Sequence, residues 1–508
     1  MNVLFITADQ WRGECLSVLG HPVVKTPNLD ALARESLLFK RHYAQATPCA
    51  PSRTSLHTGM YLQNHRCVNN GTPVDRDLDN WALQTRRAGY DPSLFGYTDT
   101  ATDPRGLSPK DPRLTHYSEP LPGIGSYTPF KADVSMDWVH YLIEKGYPMP
   151  PVLWDLYGIK EAGVDWAEGG EVPLPLAIKK EDHETHFMVD KCLHWIKGQR
   201  TPWVTHLSLL RPHPPFSVPE PYNRMYDPAT LDLPMRQSSY QEEGLQHPML
   251  EFYLSNKDYR VPENDRQMLQ DKANYFGLIS EVDDNLGRLF EALKANGDWD
   301  DTLIIFTCDH GEQLGDHWLK NKLGYFDQSY HIPLIIRDPR ATADASRGQQ
   351  IDAFSENVDI MPTMLDWLGI EIPSQCDGRS LMPIINSGQL PQDWRKEVHW
   401  EFDFRSVLDD SVEKHFGISS HQCNLAVIRD ERYKYVHFAA LPPLFFDLQN
   451  DPGEFVNLAN NPDYGAIMLE YAQKMLSWRM RHTHRGLTET ILSKTGPVTR
   501  HSPALLAV

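Results

Sequence analysis

The densest run of chemistry-bearing residues in the chain is Thr47-Pro48-Cys49-Ala50-Pro51-Ser52-Arg53-Thr54-Ser55-Leu56-His57-Thr58-Gly59. A cysteine near a helix start sits in a positive local field, and Arg53, four residues on, adds charge. Such surroundings favour a thiolate, the nucleophilic form. A lone cysteine in a polar turn reads more simply as a buried structural thiol, but the pentad Cys-x-Pro-Ser-Arg and its Thr-Gly sequel weigh against that. Three further polar groups each follow an apolar run: Asp9-Gln10 after Val3-Leu4-Phe5-Ile6, His213 after Trp203 to Leu209, and Asp309-His310 after Thr302 to Thr307.

The apolar runs are the elements that must position these groups. Short, wholly apolar strands are covered on both faces. Between them lie amphipathic helices, one at Pro27–Ala33 with Thr26 as N-cap and Pro27 at the first position, another at about Asp271–Asn296 with an apolar stripe through Ile279, Val282, Leu286, Leu289 and Leu293. Pro333-Leu334-Ile335-Ile336 reads as a further strand. Strands alternating with helices predict an α/β fold, a large mostly parallel sheet sandwiched by helices. Ligands in such sheets gather at the carboxyl ends of the strands, which brings Asp9, Gln10, His213, Asp309 and His310 to one edge. Residues 104–180 and 211–262, rich in Pro, Gly and Asp, read as long excursions able to roof a site.

The helix at about Asp359–Leu368 closes a catalytic domain assigned to residues 1–380. Val398–Phe402, Leu425–Arg429 and Tyr433–Phe438 read as strands, and Tyr464–Trp478 as a helix, so 381–483 form a smaller α+β domain on an antiparallel sheet. Residues 484–508 are a tail that could contact a neighbouring subunit. The aromatics Trp138, Trp154, Tyr157 and Trp166 read as core packing rather than as pocket walls.

The chain has 508 residues and a formal charge of −19, with 41% hydrophobic residues, enough for a large core. That charge argues against nucleic acid or an anionic membrane as partner. An anionic ligand must be held by a local cationic site. Seven dispersed cysteines without a CxxC pair predict reduced thiols. The opening MNVLFITADQW carries no secretory pattern, and no run of 18 apolar residues occurs, so a soluble cytoplasmic protein is expected.

The pentad at Cys49 resembles the signature of type I sulfatases and their relatives in the alkaline phosphatase superfamily. Further segments fall in the order that family shows: Asp9-Gln10, Arg211-Pro212-His213-Pro214-Pro215, Thr307 to Glu312, Lys322, and Phe446 to Glu454 with its Asp451-Pro452-Gly453-Glu454 turn. Asn64 to Pro73 and Gly96-Tyr97-Thr98-Asp99 are most similar to the arylsulfatase and phosphonate monoester hydrolase branch.

The resemblance implies that Cys49 is oxidised by a maturation enzyme to Cα-formylglycine. Asp9, Gln10, Asp309 and His310, with an oxygen from residue 49, would hold one divalent metal ion. Two carboxylates, a carboxamide and an imidazole suit Mg²⁺, Ca²⁺ or Mn²⁺. Many sulfatases carry Asp where Gln10 stands. The hydrated aldehyde would attack sulfur or phosphorus in line with the leaving group, and its second hydroxyl would later expel the product. Arg53 would stabilise the nucleophile, and His213 and Lys322 would contact the transferring group, one or the other protonating the leaving oxygen. Taken singly, His213 reads as a rigid turn between prolines and Lys322 as a solvated helix face; their place in the family pattern turns both toward function. Asn70 and Tyr97 would contact the substrate. Many sulfatases present Lys and His near the positions of Tyr97 and Asp99, a departure that favours the phosphonate-hydrolase branch. His317 is read either as pocket lining or as a helix cap, and Asp316 as a solvated or capping carboxylate.

The expected activity is metal-dependent hydrolysis of sulfate monoesters, promiscuous toward phosphonate monoesters and phosphodiesters. The alternatives are a dedicated phosphonate monoester hydrolase or phosphodiesterase, and a non-catalytic anion-binding protein in which Cys49 stays a thiol. The partners implied are a small anionic ester, the maturation enzyme and further copies of the chain in a homodimer or homotetramer.

Overall fold

The computed structural model describes residues 1–131, 134–157 and 176–499. In chain order its strands are β1 (Asn2–Ala8), β2 (Leu37–Tyr43), β3 (Ala46–Thr47), β4 (Ser93–Phe95), β5 (Gly125–Ser126), β6 (Phe130–Lys131), β7 (Val134–Ser135), β8 (Val204–Leu209), β9 (Thr302–Thr307), β10 (His331–Arg337), β11 (Gln350–Glu356), β12 (Val398–Asp403), β13 (Asn424–Arg429), β14 (Tyr433–Phe438), β15 (Leu444–Asp447), β16 (Thr490–Ser493) and β17 (Gly496–Thr499). The main sheet has eight strands in the order β11-β2-β10-β9-β1-β8-β4-β5.

β1 occupies the middle of this sheet because all seven of its residues are buried. Val3 and Phe5 pack on one face with Leu303, Ile305, Leu334 and Ile336. Leu4, Ile6 and Ala8 pack on the other with Ile304, Phe306 and the long helix Asp265–Asn296. This period-two division buries both faces of the strand under helices. β1 is parallel to β8 and β9, and β4 to β8. β10 is the exception to the mostly parallel expectation: it is antiparallel to both β9 and β2. The reversal has a geometric consequence. The chain leaving β9 re-enters the sheet at the same edge, so the intervening residues, Lys322 among them, must lie over that edge.

The second sheet runs β15-β14-β13-β12-β3. β12 to β15 pair antiparallel, with the 430–432 turn joining β13 to β14. The helix Gly465–Arg481 covers one face through Tyr471 and Met475. β3 adds in parallel to β12, Ala46 opposite Glu401 and Thr47 opposite Phe402. The segment just before Cys49 is therefore held by the sheet built from the C-terminal part of the chain.

Several local expectations are corrected. The Thr26 side chain does not cap its helix; the Asp283 carboxylate accepts from the Asn28 and Leu29 amides instead. A carboxylate from a neighbouring helix serves the exposed N–H groups better than a hydroxyl already bonded to Ser17. Asp316 is not solvated: it is buried and pairs with Arg12 at 2.9 Å. His317 neither lines the site nor caps a helix; it stacks on Phe326 and bonds Glu243 at 2.9 Å. Trp138 and Tyr157 are core, stacked at 5.3 Å, whereas Trp154 stands edge-on to His213 at 6.4 Å. Trp166 lies outside the described residues. Among the described residues no helix is long and apolar enough to cross a membrane.

Candidate active site

Every site residue foreseen from the sequence follows a strand at the carboxyl edge of the main sheet or rides an element tied to it. β1 delivers Asp9 and Gln10, β4 delivers Tyr97, β8 delivers His213, and β9 delivers Asp309 and His310. The turn after β4 requires glycine: Gly96 has φ +108°, and a Cβ there would lie 1.9 Å from the Ser208 carbonyl oxygen. Cys49 is the first residue of the helix Cys49–Thr58, all of which is buried. The Asn70 side-chain oxygen accepts from the Ala50 amide at 2.9 Å and so satisfies one of that helix's open N–H groups.

Arg53 is the hub. Its Nε donates to Asp309 Oδ2 at 3.0 Å, its Nη2 to Asp9 Oδ2 at 3.0 Å, and its Nη1 to Ser208 Oγ at 2.9 Å and the Tyr97 carbonyl at 3.2 Å. Asp99 lies 3.5 Å from Nε. The Tyr97 ring lies under the guanidinium at 4.3 Å, and its hydroxyl donates to Asp9 Oδ2. With its charge shared among carboxylates, Arg53 does not make the thiol acidic. Burial pushes the Cys49 thiol well above its ordinary pKa and Asp9 adds to the rise, Lys322 notwithstanding. The positive field expected at Cys49 is thus outweighed by burial and by the acidic groups around it.

Asp9, Cys49, Asp309 and His310 are buried and offer ligand atoms that all lie within 4.8 Å of one another. Asp9 Oδ1 is buried with no hydrogen-bond partner. His310 Nδ1 donates to the Gly311 carbonyl at 3.1 Å, which leaves Nε2 unprotonated and facing Cys49 Sγ at 3.2 Å. An orphaned carboxylate oxygen, an imidazole lone pair fixed by a backbone acceptor and a second carboxylate are the donor set a divalent ion takes. These residues fit a metal ion.

Beside the cluster, Lys322 Nζ donates to Gln10 Oε1 at 2.7 Å and to His213 Nε2 at 3.1 Å. His213 Nδ1 donates to the Pro214 carbonyl at 2.6 Å, so the ring is neutral with its proton on Nδ1. Burial and the lysine charge depress the His213 pKa to about 3. Burial opposes the Lys322 charge, but Cys49, Asp9 and Asp309 prevail and push its pKa up to about 12. Gln10 Nε2 donates to Glu312 Oε2. Glu312, Ser208 and Asp99 are not marked as site residues by the sequence. Ser208 and Glu312 carry no spacing signal; only the fold brings them to Arg53 and Gln10.

The Sulfatase family model matches residues 1–370, and that of the N-sulphoglucosamine sulphohydrolase C-terminal region matches 315–481. The chain belongs to the sulfatase family. It is a hydrolase of that family with an alkaline-phosphatase-superfamily fold. It is 43% identical to the multifunctional alkaline phosphatase superfamily protein PehA of Trinickia caryophylli, over 98% of this chain and 99% of that one. An arylsulfatase of Clostridium perfringens is 27% identical, over 96% of each. The crystal structure of the phosphonate monoester hydrolase of Agrobacterium radiobacter superposes with TM-score 0.92 at 46% identity, covering 99% of this sulfatase-family chain and all of that one. That of Silicibacter pomeroyi gives 0.91 at 38%, covering 98% and 99%.

Proposed function

We propose that this protein hydrolyses sulfate monoesters, and with them phosphonate monoesters and phosphodiesters, through Cys49 matured to formylglycine. The observation that carries the reading is the buried Asp9–Cys49–Asp309–His310 cluster with the Lys322–His213 pair against it. A divalent ion held by Asp9, Asp309 and His310, with Gln10 beside them, would supply Lewis-acid stabilisation of the ester's developing charge. Arg53 holds the Asp9 and Asp309 carboxylates in one orientation. The rigid helix start fixes residue 49 for in-line attack. Lys322 keeps a proton at Nζ, between Gln10 and His213, and delivers it to the leaving oxygen; His213 orients the lysine and presents its neutral ring to the transferring group.

A second reading, a dedicated phosphonate monoester hydrolase, is supported by the two solved structures of that name at 46% and 38% identity. Tyr97 and Asp99 at positions where many sulfatases carry Lys and His support it as well. The deciding experiment compares kcat/KM for an aryl sulfate and an aryl phenylphosphonate on matured, metal-loaded protein. Turnover of both substrates is expected, with Cys49→Ala losing at least ~10³-fold on each. A large phosphonate preference assigns the second reading. Turnover that survives Cys49→Ala contradicts both.

Self-association is part of the same reading. β16 and β17 form a two-stranded sheet that pairs with no other strand among the described residues, and Leu487 and Leu492, just before it and in it, are 82% and 83% exposed. An isolated hairpin is marginal in water, so this surface is proposed to contact another copy in a homodimer or homotetramer.

A further inference from the structure

Three carboxylates meet Arg53, and only two of them belong to the ion-binding cluster. Asp9 and Asp309 contribute to it; Asp99 does not. Yet Asp99 Oδ2 lies 3.5 Å from the same Nε that Asp309 engages at 3.0 Å. Its side chain is the most accessible of the three, 9% against 1% and 0%. Its backbone lies in the left-handed region, φ 49°, which aspartate and asparagine tolerate better than most side chains. The turn that carries Tyr97 over Arg53 therefore also fixes a third negative charge there, close enough to Cys49 to act on it electrostatically.

The charge balance shows what that third carboxylate does. Arg53 and Lys322 are cations and His213 is neutral, whereas Asp9, Asp99 and Asp309 surround Arg53 and the buried Glu312 stands beside Gln10, so the acidic groups outnumber the cations. A divalent ion would offset that excess and leave the site with little net charge, which suits an ester of low charge. Without Asp99 the site would be more positive by one charge, which favours a doubly charged ester over a singly charged one. In a buried site this difference is poorly screened by solvent.

We propose that Asp99 is a specificity-determining residue: its carboxylate tunes the site to singly charged tetrahedral esters (sulfate monoesters, phosphonate monoesters, phosphodiesters) and against doubly charged phosphate monoesters. This rests on the hydrolase reading above and adds to it the discrimination by substrate charge. Sulfur and phosphorus esters of equal charge are not distinguished by Asp99; esters of unequal charge are.

The test uses matured, metal-loaded protein with p-nitrophenyl phosphate and p-nitrophenyl phenylphosphonate at pH 8. The phosphate ester is then doubly charged, its second pKa lying at about 6, and the phosphonate monoester singly charged. Asp99→Asn, which keeps the shape and suits the same backbone, is expected to raise the phosphate-to-phosphonate ratio of kcat/KM at least tenfold. The native protein provides an arm that needs no variant: the same ratio should fall between pH 5 and pH 8 as the phosphate ester takes up its second charge. A ratio unchanged by Asp99→Asn, with both substrates slowed alike, would make Asp99 a mere support of Arg53 and overturn the proposal. So would a flat native ratio across pH 6. If the native protein turned over neither ester, the hydrolase reading itself would fail, an outcome distinct from both.

Discussion

Arg53 shows how one side chain organises a site it need not enter. All three of its nitrogens are engaged, by two proposed metal ligands, a serine and a carbonyl. Tyr97 works from the other side: its hydroxyl bonds the Asp9 oxygen that Arg53 also holds. Removing that hydroxyl leaves Asp9 Oδ2 held by Arg53 alone, so Tyr97→Phe is expected to weaken divalent-ion affinity about 10- to 100-fold, measured by competition with a chelator. Lys322→Ala removes the proposed proton donor and leaves His213 Nε2 without its partner. A fall in kcat/KM of about 10²–10⁴-fold is expected, smaller for an ester whose leaving group needs no protonation. An equal fall for good and poor leaving groups would assign Lys322 to substrate binding alone. At this scale the sequence exposes the acids and the imidazoles, because apolar runs end in them, and Cys49, because of its pentad. It does not show that Asn70 meets the Ala50 amide or that Tyr97 meets Asp9 and Arg53. It also hides Ser208, because a serine within a buried strand looks the same whether or not an arginine reaches it.

The loop that carries Lys322 is held at both ends by different means. At one end β9 and the antiparallel β10 fix its exits to one sheet edge. At the other an ion network centred on the buried Lys434 ties it to the second sheet. Lys434 Nζ lies 2.7 Å from Asp327 Oδ1 and 2.7 Å from Glu454 Oε1, while Arg429 reaches Asp327 at 3.1 Å. Glu454 closes the Asp451-Pro452-Gly453-Glu454 turn, so that segment anchors the cation that in turn anchors the Lys322 loop. Lys434→Met would leave the buried Glu454 without its cation and the half-buried Asp327 with Arg429 alone. A loss of about 3–5 kcal/mol in unfolding free energy is expected, read from urea melts, together with lower kcat/KM through a displaced Lys322. Full activity in a folded Lys434→Met protein would show that the loop is fixed by the β10 reversal alone. The main strands, the long helix and the β13–β14 hairpin are legible in the sequence because their periodicities are strong. The reversal of β10 is not, since a buried apolar run reads the same in either direction. β3 is not either: two residues carry no period, and their partner strand lies about 350 positions away.

The whole molecule buries several histidines as neutral rings away from the site, and this sets its acid stability. Burial lowers His42 and His247 to about 4 and His57 and His65 to about 3. The unfolded chain protonates these groups near pH 6.5, the folded chain only at about 3 to 4. Between those values the unfolded state binds more protons, so stability is fully present above pH 6.5 and is lost as pH falls below it. Each ring is expected to cost roughly 1 kcal/mol at one unit below pH 6.5. Urea midpoints should drop between pH 7.5 and 5.5, and His57→Gln should lessen that drop. Assembly is tested on the same protein by sedimentation: the native chain is expected to associate, and paired Leu487→Asp and Leu492→Asp substitutions to give a monomer. The formal charge of −19 disfavours anion binding by the overall field, so a local cationic site such as the edge where Arg53, Lys322 and the ion-binding cluster meet must supply it. The most direct test of the formylglycine mechanism is a peptide mass spectrum across residue 49, taken on protein whose turnover has just been measured. The active fraction is expected to equal the fraction that has lost sulfur and gained an aldehyde at that position. Full activity with an intact thiol in every molecule would contradict the mechanism.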